Sequence, residues 1–197
     1  MPNPLEGKFV VLGVSGSIAC YKAVDLASKL TQSGAMLNVV MTPNATRFVT
    51  PLAFNSITHR PVVTDLFNRH SELSVEHISL AEMADLVVVA PATANSIAKI
   101  ALGLADEPLT TILLATVAPV IVVPAMDGHM FENTATKENI ARLLNRGITI
   151  VGPVKGSLAS GLTGIGRLVE VPVLMDHIRL VLSRNGDLSG WTIVIAV

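Results

Sequence analysis

The sequence predicts an α/β domain, a doubly wound and mostly parallel sheet with helices on both faces, of the flavodoxin-like or Rossmann-like three-layer kind. Three observations carry this. Apolar runs of strand length at 8–14, 37–41, 86–90 and 120–123 alternate with segments of helical period. The turns between them are short, so the order reads βαβαβαβαβα, which right-handed crossovers convert into a parallel sheet. Half of the residues are hydrophobic and only 15% are charged, as strands covered on both faces require.

Taken in order, Lys8 to Val14 is the first strand. Gly13-Val14-Ser15-Gly16-Ser17 turns the chain, and a helix follows with Ile18, Tyr21, Val24 and Leu30 on its apolar face and Gly34 as its stop. Backbone N–H groups at such a turn, with the Ser15 and Ser17 hydroxyls, either hold a phosphate or cap the helix. The spacing is neither G-x-G-x-x-G nor a lysine-bearing P-loop, which argues against a dinucleotide or nucleoside triphosphate. Leu37 to Met41 is the second strand, and Thr42-Pro43-Asn44 reads as a helix start with Pro at the first position. Thr42 ends its strand as Ser15 does, so both are placed to face one phosphate. Phe48 either lines a ring or packs in the core. Pro51 opens a further helix, Val62 to Asp65 a short strand, and 68–74 a polar loop.

Leu86 to Ala90 is a buried strand that turns through Pro91-Ala92-Thr93 into a helix of small residues. Open α/β sheets bind ligands where a strand empties into a helix N-terminus. Thr93, Asn95 and Ser96 therefore either meet the edge of a planar or anionic ligand or cap an ordinary turn. Gly103 stops that helix and Pro108 starts another. Val120 to Val123 runs into Pro124-Ala125-Met126-Asp127-Gly128-His129-Met130-Phe131, read as a polar loop. A helix follows from Asn133 or Thr134 to Asn145, then a strand from Ile148 to Val151. Residues 152–167 hold too much glycine for a stable element and too many apolar side chains for a solvated linker. They read as a lid, or else as a plain connection. Pro172 to Leu182 is helical, and a turn-rich boundary precedes a last strand pattern, WTIVIAV. Residues 1–185 are expected to form one domain, and 186–197 to begin another or to close this one as an edge strand.

A net charge of −1 offers no footprint for nucleic acid. No apolar run reaches the roughly 18 residues of a membrane span, and the start carries no signal-peptide core. The single cysteine, Cys20, supports neither a disulfide framework nor a cysteine-rich zinc site. A cytoplasmic protein without a bound metal is expected.

Five segments in order resemble one family. GVSGSIA, HISLAEMAD, APATANSIAKIALGLADEPLT, PAMDGHMF and GSLASGLTGIGR are similar to motifs of the FMN-dependent cysteine decarboxylases. One branch of that family acts on phosphopantothenoylcysteine in coenzyme A synthesis and another on peptidyl cysteine in lantibiotics. The resemblance implies that Ser15, Gly16 and Ser17 hold the flavin phosphate, with Gly13 opening the turn and Thr42 helping. It implies that Ala90, Thr93, Asn95 and Ser96 contact the flavin, with Ala105 in the same segment and Phe48 and Met126 near the ring. His77, Asp127 and Ser160 become the candidate catalytic residues, His77 in the histidine motif, Asp127 on the substrate loop and Ser160 on the lid.

Two positions depart from the family's pattern, which has Asn where this chain has Asp127 and Cys where it has Ser160. The implied chemistry oxidises the carbon bearing the substrate thiol, so that a thioaldehyde can accept electrons as CO₂ leaves. An ionised Asp127 would repel the substrate carboxylate. Asp127 is therefore expected to be protonated in the complex, or turned towards a cation such as His129 or Lys155. A serine is a weaker acid than a cysteine for the returning proton. Reaction to the saturated thiol, arrest at the enethiol, and a non-catalytic FMN-binding regulator all stay open. The resemblance further implies a homotrimer or a dodecamer of trimers. The terminal GDLSGWTIVIAV resembles the linker and first strand of a fused ligase domain.

Overall fold

The computed structural model describes residues 3–66 and 76–184. The expected loop at 68–74 and the terminal strand pattern lie outside the described residues. The strands of the main sheet are β1 (Phe9–Val14), β2 (Met36–Met41), β3 (Val62–Val63), β4 (Leu86–Ala92), β5 (Val120–Pro124) and β6 (Thr149–Ile150). Their order is β3-β2-β1-β4-β5-β6 and every pairing is parallel. The direction of winding reverses between β1 and β4, which makes the carboxyl edge of those two strands the switch point where such sheets bind ligands.

Strand alternation sorts the core into two layers. Val10, Leu12 and Val14 of β1 face α1 (Cys20–Gln32), α2 (Pro51–Thr58) and α8 (Val171–Leu182). Phe9 and Val11 face the other way, towards α3 (Glu76–Met83), α4 (Ala94–Leu102), α5 (Pro108–Ala115) and α7 (Thr134–Asn145). All six residues of β1 and all seven of β4 are buried, and valine dominates both because a branched β-carbon fits a pleated, covered surface. At the opposite edge from the switch point, the Asp85 carboxylate accepts from Phe9 N–H at 2.8 Å and from Lys8 Nζ at 2.9 Å, which registers β1 against β4.

Three segments differ from expectation. Thr42-Pro43-Asn44 leads only into a single 3₁₀ turn, Ala45–Arg47. The 124–131 segment contains a short helix, α6 (Gly128–Glu132), capped by Asp127. The glycine-rich stretch is not irregular: β7 (Val154–Ser157) and β8 (Thr163–Arg167) form an antiparallel hairpin. Glycine weakens intrinsic strand preference, and here the ladder is completed by docking, with Met126 N–H donating to Gly166 O at 3.0 Å.

Candidate active site

The site begins with two turns held together by one buried serine. The β4 ladder to β5 breaks between Val89 and Ala92. The Pro91 carbonyl there accepts from Ser15 N–H at 3.2 Å and from Ser15 Oγ at 2.8 Å. Ser15 Oγ in turn accepts from Thr93 N–H at 2.9 Å. Thr93 caps α4, its Oγ1 accepting from Ser96 N–H at 3.2 Å, so it satisfies one orphan amide of the first turn. Ser96 is buried behind it and Asn95 is exposed. Ala90 is also buried, and Ala105 lies exposed on the loop between α4 and α5.

The other turn approaches closely because glycine permits it. A β-carbon on Gly16 would lie 2.6 Å from Asn44 Cβ, and one on Gly13 would collide with the Leu109 side chain. Of the two readings of this turn, the serine cap is not the one formed: α1 starts at Cys20 with Ala19 as its N-cap residue and no side-chain cap. Ser17 Oγ instead accepts from Ala19 N–H at 3.2 Å. Among the described residues, Gly16, Ser17 and Ile18 N–H have no protein acceptor. Unpaired amides beside a helix N-terminus suit an anion. Thr42 is buried beside them, bonded through its N–H to Val14 O at 3.0 Å, while Phe48 is 50% exposed.

Above these turns lies a cavity of about 410 Å³. Its walls are Gly16 to Ala19 with Tyr21 and Lys22 from α1, Thr93, the 125–127 turn with Met130, and the hairpin through Ser157 to Ser160 and Gly166 to Leu168. The hairpin forms one wall of the cavity, the place expected of a lid. Gly166 sits at φ +145, and a β-carbon there would strike Met126 O. Lys22 is buried in the wall, donating to Leu168 O at 3.2 Å and paired with Glu170 at 3.0 Å. Glu170 also binds Arg167 at 2.7 Å.

The two residues that depart from the family's pattern touch each other. Ser160 Oγ donates to Asp127 Oδ2 at 2.7 Å, and His129 N–H donates to Asp127 Oδ1 at 3.0 Å. The Ser160 bond first, then the His129 amide and the charge of His129, hold the Asp127 carboxyl below the usual carboxylate range. Two donors and the nearby charge of His129 thus favour the ionised form of Asp127 in this structure, in keeping with the expected alternative of a carboxylate turned towards His129. It faces a hydroxyl and an amide rather than Lys155.

Gly16, Ser17, Thr93, Met126, Asp127 and Ser160 therefore line one cavity. Gly13, Ser15, Ala90 and Ser96 stand behind its walls. Thr42, Phe48, Asn95 and Ala105 are not on the wall. His77 is half-buried in the first turn of α3, on the opposite layer from α1, and does not line the cavity. Sequence reasoning missed Tyr21, Lys22 and Arg167. Lys22 was findable, since it stands in the first turn of the helix that the Gly16-Ser17 turn feeds.

A flavoprotein family model matches residues 2–183. The chain belongs to that family. It is 44% identical over 192 residues to the coenzyme A biosynthesis bifunctional protein CoaBC of Vibrio parahaemolyticus, covering 98% of this chain and 48% of that one. With the CoaBC protein of Bacillus subtilis it shares 49% over 166 residues, covering 84% of this chain and 41% of that one. The chain thus spans about half the length of these relatives. Among solved structures, a PPC decarboxylase cysteine-to-serine mutant complexed with pantothenoylaminoethenethiol matches with TM-score 0.79 at 33% identity, covering 89% of this chain and 98% of that one. The FMN-dependent cysteine decarboxylase SpaF matches with TM-score 0.78 at 28% identity, covering 91% and 98%.

Proposed function

We propose that this chain is an FMN-dependent decarboxylase that converts phosphopantothenoylcysteine to phosphopantetheine, the decarboxylase part of a bifunctional cytoplasmic enzyme of coenzyme A synthesis. The observation that carries this is a lidded cavity at the switch point, with two turns of complementary character, in a chain that matches half of CoaBC. The residues fit the cofactor. Gly16 and Ser17, with unpaired amides and a close approach to Asn44, suit the phosphate, with Thr42 alongside. The Thr93 turn and Met126 supply a narrow wall for a flat ring. When bound, FMN supplies the two-electron chemistry that no protein side chain here can provide.

The chain's own residues bind, orient and move protons. Lys22 and Arg167 stand on the cavity wall, where Glu170 holds both in place and an anionic end of the substrate would have to compete with it for them. Asp127 fixes the lid through Ser160, and Met126 N–H fixes its other strand. His77 handles the proton, since an imidazole carries one nitrogen that can accept a proton and one that can give it. That His77 lies off the wall of its own cavity supports a working unit in which a neighbouring copy delivers it, and the family resemblance makes that unit a homotrimer, or trimers assembled into a dodecamer in the full-length protein. Residues 186–197 begin the fused ligase domain.

A second reading rests on Ser160. An alcohol bound to a carboxylate is a poor proton donor, and a cysteine-to-serine relative was captured with an enethiol. On that reading the reaction stops at the enethiol, two hydrogens lighter than the saturated thiol. The test is incubation with FMN and phosphopantothenoylcysteine, following flavin absorbance and product mass together. Loss of CO₂ with the saturated product supports the main reading, and the lighter product supports the second. Flavin binding without loss of CO₂ overturns both.

A further inference from the structure

Ser15 stands in the sequence where a phosphate ligand is expected, yet its bonds run elsewhere. Its side chain is 1% exposed. Its N–H and its Oγ–H both donate to Pro91 O, at 3.2 and 2.8 Å, and its Oγ accepts from Thr93 N–H at 2.9 Å. Its own carbonyl accepts from Cys20 Sγ at 3.2 Å. A hydroxyl has a single proton to give, and this one is given to Pro91. Its neighbours Gly16, Ser17 and Ile18 carry the amides without protein acceptors.

We infer that Ser15 is a positioning residue for the ring side of the cofactor site, not a ligand of the phosphate. Through Pro91 and Thr93 it sets the backbone of the turn that caps α4, and so the wall against which a flat ring lies. The amides of 16–18 serve the anion without it. This assignment rests on the FMN reading above and refines it.

Riboflavin, which lacks the phosphate, separates the two roles. Removing two buried hydrogen bonds from the ring-side turn in Ser15→Ala should weaken FMN and riboflavin by the same factor, about tenfold. At saturating FMN the visible absorption band of the bound flavin should differ from that of the native chain. Ser15→Cys, which keeps the volume and a weak donor, should show the same equal loss at smaller size, so the assignment does not depend on one variant folding. A Ser15→Ala chain that loses FMN affinity, keeps riboflavin affinity and leaves the bound spectrum unaltered would overturn it and return Ser15 to the phosphate. Failure of the native chain to bind FMN at all would overturn the FMN reading and the assignment together.

Discussion

Asp127 and Ser160 are separated by 33 positions and joined by one hydrogen bond. Asp127 is depressed in the folded chain, so its contribution to lid closure is present above the ordinary carboxylate value. That contribution is lost as pH falls through the lower folded value. Exchange across 157–163, taken relative to the intrinsic rate at each pH, should therefore stay slow at neutral pH and rise only below the ordinary carboxylate range. In Asp127→Asn, with no charge to lose, that rise should be missing. On the proposed function the same pair bears on the product. Ser160→Cys restores a stronger acid but sets it beside a carboxylate, which raises a thiol's pKa. The saturated fraction by mass spectrometry should increase from native to Ser160→Cys, and again in the D127N/S160C double variant.

At the scale of elements, two glycines predict opposite outcomes for one substitution. Gly13 is inside the core, where an added methyl meets the buried Leu109 of α5. Gly13→Ala should cost about 1–3 kcal/mol of global stability by overpacking, read as a lower Tm. Gly166 is on the lid, at a φ that side chains rarely adopt and against Met126 O. Gly166→Ala should leave Tm nearly unchanged while exchange across 154–167 becomes fast and substrate binding weakens, because the hairpin undocks without unfolding the sheet.

Glu107, at the N-cap of α5, is a further test at this scale. Burial pushes its carboxyl up, against the charge of Lys99 at 3.6 Å, and its Oε1 is buried without a partner among the described residues. Ionising it in the folded chain is therefore costly, and the cost appears as pH rises through the ordinary carboxylate range. Glu107→Gln should raise Tm at pH 7 relative to the native chain and lose that advantage near pH 4.

For the whole molecule, the separation of His77 from the cavity makes assembly a functional question. A His77→Asn chain and a Gly16→Val chain should each be inactive alone. Co-expressed, they should regain decarboxylation if His77 serves a neighbour's cavity, and should stay inactive if each chain uses its own. Sedimentation of the native chain should give a trimer or larger. No helix among the described residues is long and apolar enough to cross a membrane.

By itself the sequence determined the strand and helix order and the switch-point location. Those follow from periodicity and from turn residues, which act over a few positions. It did not reveal the hairpin at 154–167, because glycine's local preference opposes a strand and docking on Met126 overrides it. Only the tertiary structure decided that Ser15 serves Pro91 and Thr93, 76 and 78 positions away, that Ser160 reaches Asp127, and that His77 stands off its own cavity. The reason is physical: a hydroxyl has few bonds to give, and its partner is chosen by whatever acceptor the fold brings within about 3 Å, which no local pattern records.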